Sequence, residues 1–193
     1  MARLTSDGEQ YIAQAVGDAQ SFIVDEFVFA FIPGLDFKTD EPVNEPMPSA
    51  ANIVHRSAPL KHGIIDDNKV TFSQMLLPEI GNFEFNWIGL VHDNSLIAFA
   101  YVPVTLKIKT DDTLEGNTIS RNFVLEHKGI ADAMPTPVTA ESWMYDYSNE
   151  IDYLQNRVLV NASAIINANT GIVKNAHWNT TLSERVRLLE EAK

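Results

Sequence analysis

Apolar and polar positions alternate most regularly between residues 81 and 109, GNFEFNWIGLVHDNSLIAFAYVPVTLKIK. Phe83, Phe85, Trp87, Gly89 and Val91 share one phase of a period-two pattern, with Asn82, Glu84, Asn86 and His92 in the other. Ile88 and Leu90 load the second phase as well, so the strand predicted here carries apolar weight on both faces. His92-Asp93-Asn94-Ser95 supplies turn chemistry. An apolar run over 96–102 follows, and beyond Pro103 a third run alternates Val104, Leu106 and Ile108 with Thr105, Lys107 and Lys109. Neighbouring runs joined by a short polar loop form an antiparallel hairpin, and this meander is the expected centre of the fold.

The flanking segments extend the same reading. Residues 6–20 predict a helix with Ser6 and Glu9 at capping-box spacing and Ile12, Ala15, Val16 and Ala19 as its apolar stripe. Residues 21–32 predict a strand buried on both sides, with Phe27, Phe29 and Phe31 on one face and Val28 and Ala30 on the other. Asp25 and Glu26 are adjacent there and point to opposite faces, so they cannot share a substrate atom. Residues 33–50 have the Pro-rich, acidic composition of an exposed loop, long enough to be a contact surface. Short strands are expected over 53–59, 61–65, 69–77 and 119–127, with a solvated turn at 111–117 that lacks calcium-loop spacing.

The last third changes period. A connector over 131–139 leads to a short helix over 138–147 bearing Trp143. Then Ile151, Leu154, Val158, Asn161, Ile165, Ala168 and Ile172 recur in a strict alternation of three and four, the seam of a coiled coil. A polar Asn161 inside that seam sets register and strand number. The competing reading is a strand, because RVLVNASAII also alternates with period two and Asn, Val and Ile are mediocre helix formers. Gly171 is expected to break the helix, and Thr181 and Glu184 to cap a final one containing Val186, Leu188 and Leu189. No cap residue follows Lys193, which predicts a stalk continuing past it. The expected fold class is therefore α+β and β-rich: an antiparallel meander or sandwich, an N-terminal covering helix and a C-terminal stalk-like helical segment. The expected division is a β-rich domain over 1–130 and a linker plus helical or coiled-coil segment over 131–193.

Composition removes several functions. The formal charge of −12 opposes binding to nucleic acid or anionic lipid. Cysteine is absent, which removes disulfides, thiolate catalysis and Cys-ligated zinc together. The first 20 residues have no apolar core and carry acids early, so no signal peptide and a soluble protein are expected. No run approaches the roughly 20 apolar residues of a membrane span. His62, Asp66 and Asp67 match no metal-ligand spacing, and no metal or cofactor is expected. Glycine-loop, zincin and nucleophile-elbow motifs are missing, so no catalytic residue is named. Trp87, Trp143 and Trp178 beside Asn residues leave one alternative open, a carbohydrate-binding or glycan-hydrolysing module.

A family resemblance adds to this. Gly81 and Phe83, Ile88-Gly89-Leu90, an acidic turn, Leu96-Ile97-Ala98, Lys107 or Lys109, and Gly116 before a closing strand follow one another in an order that resembles the N-terminal domain of phage tail-collar fibre proteins. Leu4, Thr5 and Gly8 stand where that family opens with its helix. The resemblance covers about residues 1–130. Trp87 stands at or beside the family's usual Glu, Val91 replaces an aromatic, and Asn94-Ser95 replaces the turn glycine. The resemblance implies a structural virion part in the tail, assembled in the host cytoplasm as a homotrimer and anchoring a fibre to the baseplate or collar. It brings no catalytic residues with it.

Overall fold

The computed structural model describes residues 2–135 and 148–192. The chain divides into two compact units, Met1–Tyr145 and Asp146–Lys193. The short helix expected over 138–147 lies outside the described residues.

In the first unit the elements run β1 (Arg3–Leu4), α1 (Ser6–Gly17), β2 (Glu26–Ala30), β3 (Ile53–Ser57), β4 (Lys61–Asp66), β5 (Lys69–Leu76), β6 (Phe83–His92), β7 (Ser95–Lys107) and β8 (Ile119–Glu126), then a 3₁₀ turn (Ile130–Ala133). A five-stranded sheet has the order β1-β7-β6-β2-β3, and a three-stranded sheet the order β4-β5-β8. Every pairing is antiparallel. Between the sheets one apolar cluster joins Phe27, Phe29, Phe85, Ile88 and Leu90 to Phe72 and Phe123. Phe27 meets Phe123 edge-on at 5.7 Å, and Phe29 meets Phe85 edge-on at 5.2 Å, the geometry that aromatic quadrupoles favour. α1 closes this core with Ile12 and Ala15, both buried.

The central hairpin is two strands rather than three runs. β7 passes straight through Pro103 because two residues of β6, from Phe85 to Trp87, span the stretch from Thr105 to Tyr101 on its partner. This bulge lies where β7 has no second neighbour, since β1 reaches only Phe99 and Ala98. A bulged strand edge is where a proline without an N–H is tolerated. The same irregularity flips the phase of β6 at Asn86. Phe85 and Ile88 face the inter-sheet core, whereas Trp87 and Val91 face the other side with Val28, Ala30, Leu96 and Phe99. The single shared face expected for Phe83 through Val91 is thereby corrected. The Asn86 carboxamide takes the place of a strand partner, accepting from Ile32 N at 2.8 Å and donating to Ile32 O at 2.8 Å. At the hairpin tip Asp93 and Asn94 both have positive φ, 45° and 64°, as a two-residue turn matched to strand twist requires. Asn94 therefore replaces a turn glycine at low steric cost.

The N-terminal helix is capped one residue before the expected position. Thr5 is the N-cap, its Oγ1 accepting from Gly8 N at 3.0 Å and donating to the Leu96 carbonyl. Ser6 instead donates to Asn44 Oδ1 at 2.8 Å, so the capping box with Glu9 does not form. The helix ends at Gly17, and Ala19, with φ 51°, falls outside it. The strand expected from residue 21 begins only at Glu26, because Phe22 N bonds to Ala133 O at 2.7 Å and draws the preceding segment away. Asp25 and Glu26 do go to different partners: Asp25 Oδ2 accepts from Asp93 N at 2.9 Å, and Glu26 pairs with Arg56 at 2.9 Å.

The loop over 33–50 is exposed along most of its length, as expected, and is also strapped to the sheet at a few residues. Leu35 and Met47 pack on the outer cluster of the five-stranded sheet, and Glu45 accepts from Trp87 Nε1 at 3.2 Å and from the Tyr101 hydroxyl at 2.9 Å. Near the far end of β7, the fully buried Lys107 donates to Ile108 O at 2.8 Å and to Asn117 O at 2.6 Å, tying the 111–117 turn to the sheet. Burial pushes its ammonium down from the usual lysine range, an effect partly offset by Glu79. Lys107→Met is expected to leave both carbonyls short of a donor and to lower the stability of this unit by about 3 kcal/mol in a urea titration.

The second unit is one α-helix, α2 (Ser148–Glu191), of 44 residues. The strand reading of 157–166 is excluded, and so are the break at Gly171 and the separate final helix. Thr181 does not cap anything; its hydroxyl donates to the His177 carbonyl at 3.0 Å, as Thr180 does to Ala176 at 3.0 Å. One interior glycine costs a helix only about 1 kcal/mol, too little to interrupt a run of this length.

Candidate functional site

Every residue of the expected seam lies on α2. Because α2 is continuous, the alternation of three and four does not stop at Ile172. It runs on through Asn175, Asn179, Leu182, Val186 and Leu189. Those five were hidden by reading Gly171 as a break. Taking Ile151 as heptad position a, the a positions are Ile151, Val158, Ile165, Ile172, Asn179 and Val186. The d positions are Leu154, Asn161, Ala168, Asn175, Leu182 and Leu189. Asn161 is thus not the only polar residue of the stripe.

This stripe is bare. Leu154 is 59% exposed, Val158 65% and Ile165 60%, and most exposed large apolar side chains among the described residues lie on α2. A second stripe, Leu159, Ala162, Ile166, Val173 and Ala176, runs beside the first at positions b and e. At 100° per residue the two together cover an arc of roughly 160°. Apolar area on that scale gains free energy when removed from water, about 25 cal/mol per Å².

Two groups of titratable side chains among the described residues of the first unit bear on the site. Asp25, His92 and Asp93 meet at the hairpin tip, with their ligand atoms within 4.8 Å of one another. His92 Nδ1 is 3.0 Å from Asp25, Nε2 is 3.7 Å from Asp93, and the ring stacks on Tyr11 at 4.5 Å. The motif was not visible in sequence because Asp25 is 68 residues from Asp93. A neighbouring apolar pocket of about 330 Å³ is lined by Phe22, Phe72 and Met134, with Asp25 and His62 as its ionisable members.

The second group lies at the strap. Tyr101 is pushed up to about 12 by burial first and then by the hydrogen bond and charge of Glu45. A phenol raised above its ordinary value of 10.0 stabilises the fold fully below pH 10, and the contribution is lost as pH rises through about 12. Burial also raises Tyr11, so ultraviolet titration of the five tyrosines should show delayed phenolates, the one near pH 12 being absent in Tyr101→Phe, with the strap released as that group ionises.

Trp87, a candidate sugar platform in the sequence, is fully buried under the strap. Trp178 is 63% exposed on α2, and Trp143 lies outside the described residues. No helix among the described residues is long and apolar enough to cross a membrane.

No solved structure matches the chain. The chain is 33% identical over 157 residues to a "Probable tail fiber protein" of Haemophilus phage HP1 (strain HP1c1). That alignment covers 80% of the chain but 17% of the relative, so the chain spans about a sixth of that protein's length. Residues 1–152 match the family described as phage tail-collar fibre protein, N-terminal. The chain belongs to the phage tail-collar fibre family, as a match to its N-terminal domain.

Proposed function

We propose that the chain is a structural attachment module of a homotrimeric tail fibre in a virion. The β-rich domain over 1–130 docks on a baseplate or collar protein, and the segment over 131–193 joins three copies through α2. The observation that carries this reading is the uninterrupted alternation of three and four over the full length of an exposed 44-residue helix. An isolated helix gains most of its stability in proteins from packing an apolar face, and here a copy of the same face supplies the partner.

Strand number has support on both sides. β-branched residues at a with Leu at d favour two strands in parallel coiled coils. The roughly 160° apolar arc supports three, because each helix added to a bundle widens the face that every helix turns inward beyond the a and d rows. We take three as the reading, on the breadth of that arc. Charge does not choose the partner in the middle of α2: positions e and g from 162 to 178 hold Ala, Gly, Asn and Trp. Light scattering on the full chain tests the reading. A mass three times the 21.5 kDa chain supports it; a dimer favours the two-stranded alternative, and a monomer at high concentration removes self-association altogether.

A further inference from the structure

We infer that the ring of Asn161 side chains in the stalk is a binding site for a monatomic anion, such as chloride, held on the three-fold axis. The inference rests on the trimeric reading above. Each carboxamide has one carbonyl and two N–H donors. In a three-membered ring each carbonyl accepts from the next residue, which leaves one N–H per chain directed inward. Three donors then converge on a layer sealed by Val158 above and Ile165 below, both apolar and β-branched. Buried donors without an acceptor are costly, and a water molecule, itself carrying two protons and two lone pairs, cannot accept all three.

A halide accepts all three. Adjacent layers are about 5 Å apart along the helix, which admits a single sphere between Val158 and Ile165 but not a tetrahedral oxyanion. The surrounding charge agrees. Between Asp152 and Glu184 the chain carries no acid, and its ordinary cations there are Arg157, one turn before Asn161, and Lys174. In a polypeptide of net charge −12, this acid-free stretch is where an anion meets least repulsion. Asn175 and Asn179 form consecutive polar layers between Ile172 and Leu182, so each has an apolar layer on one side only, and the taller polar space admits water instead. Two strands would leave nothing to bind, because two carboxamides satisfy each other as a pair.

The test is thermal unfolding of the full chain, followed by its helical signal, at constant ionic strength in sodium chloride, sodium bromide or sodium methanesulfonate, with mass measured in parallel. The midpoint is expected to be about 4 °C higher in either halide salt. Asn161→Leu should raise the midpoint, keep the trimeric mass and abolish the halide response, whereas Asn175→Leu should keep the response. A trimer whose midpoint is the same in all three salts overturns the anion site and leaves the stalk standing. A wild-type chain that is monomeric or dimeric overturns the trimer, and the site with it.

Discussion

Gly8→Ala is expected to destabilise the β-rich unit by about 3 kcal/mol, although alanine is the better helix former by about 1 kcal/mol. The reason is the closeness of α1 to β7. A Cβ at Gly8 would overlap the Ile97 carbonyl oxygen and lie 2.8 Å from its carbon, and a backbone group cannot swing aside as the tip of a side chain can. The helix would have to lift from the strand. That movement would break the Thr5 N–H bond to Ile97 O at 3.0 Å and the Thr5 hydroxyl bond to Leu96, and would open the burial of Ile12 and Ala15. Gly17, at the other end of the same helix, has open space where its Cβ would go. Gly17→Ala should therefore stabilise slightly. Urea unfolding of the two variants, compared with the parent, is the measurement; equal shifts for both would show that α1 is not seated on β7 through Gly8.

The second large effect is expected in the stalk. Ile165→Asp would place three carboxylates in one apolar layer of a trimer, where unpaired charge is strongly disfavoured, at a cost on the order of 4 kcal/mol. At micromolar concentration the light-scattering mass should fall from three chains to one, while the β-sheet signal of the first unit stays unchanged. Ser163→Asp, two residues earlier at outward position f, should keep the assembled mass. If Ile165→Asp assembled as well as the parent, the a/d stripe would not be the contact. Loss of assembly in both variants would instead point to a general intolerance of charge.

These variants separate what each unit is for. Gly8 and Thr5 act within one chain, holding a helix against a sheet. Ile165 is bare within one chain, and in the proposed assembly it packs against copies of itself. The same distinction explains the tryptophans. Trp87 is spent on the fold, under a strap clamped by Glu45, while Trp178 faces solvent on α2.

Much of the fold was legible in residue pattern alone. Period-two alternation placed β5, β6 and β8 to within a residue or two, and the polar His92-Asp93-Asn94-Ser95 stretch marked the hairpin turn. The order of motifs around Gly81, Gly89 and Lys107 pointed to the family to which the chain belongs. The three-four seam placed every one of its seven residues on a single helix. Such features survive in sequence because they depend on neighbours a few positions apart, where backbone geometry fixes which side chains share a face.

What the sequence could not decide came from contacts between distant segments. The phase flip at Asn86 depends on Ile32, the cap at Thr5 depends on the carbonyls of β7, and the strap depends on Glu45 meeting Trp87 and Tyr101. Asp25 and His92 became neighbours only when β2 lay down beside β6. In α2 the tie between strand and helix was broken by continuity: 44 residues of unbroken intrahelical bonding outweigh one glycine and several poor helix formers. Local period thus determined which elements exist, and the tertiary structure determined where they stop, which face they turn inward and which polar groups they bring together. Those choices are made by hydrogen bonds and packing across dozens of residues, for which a single sequence carries no short-range signal.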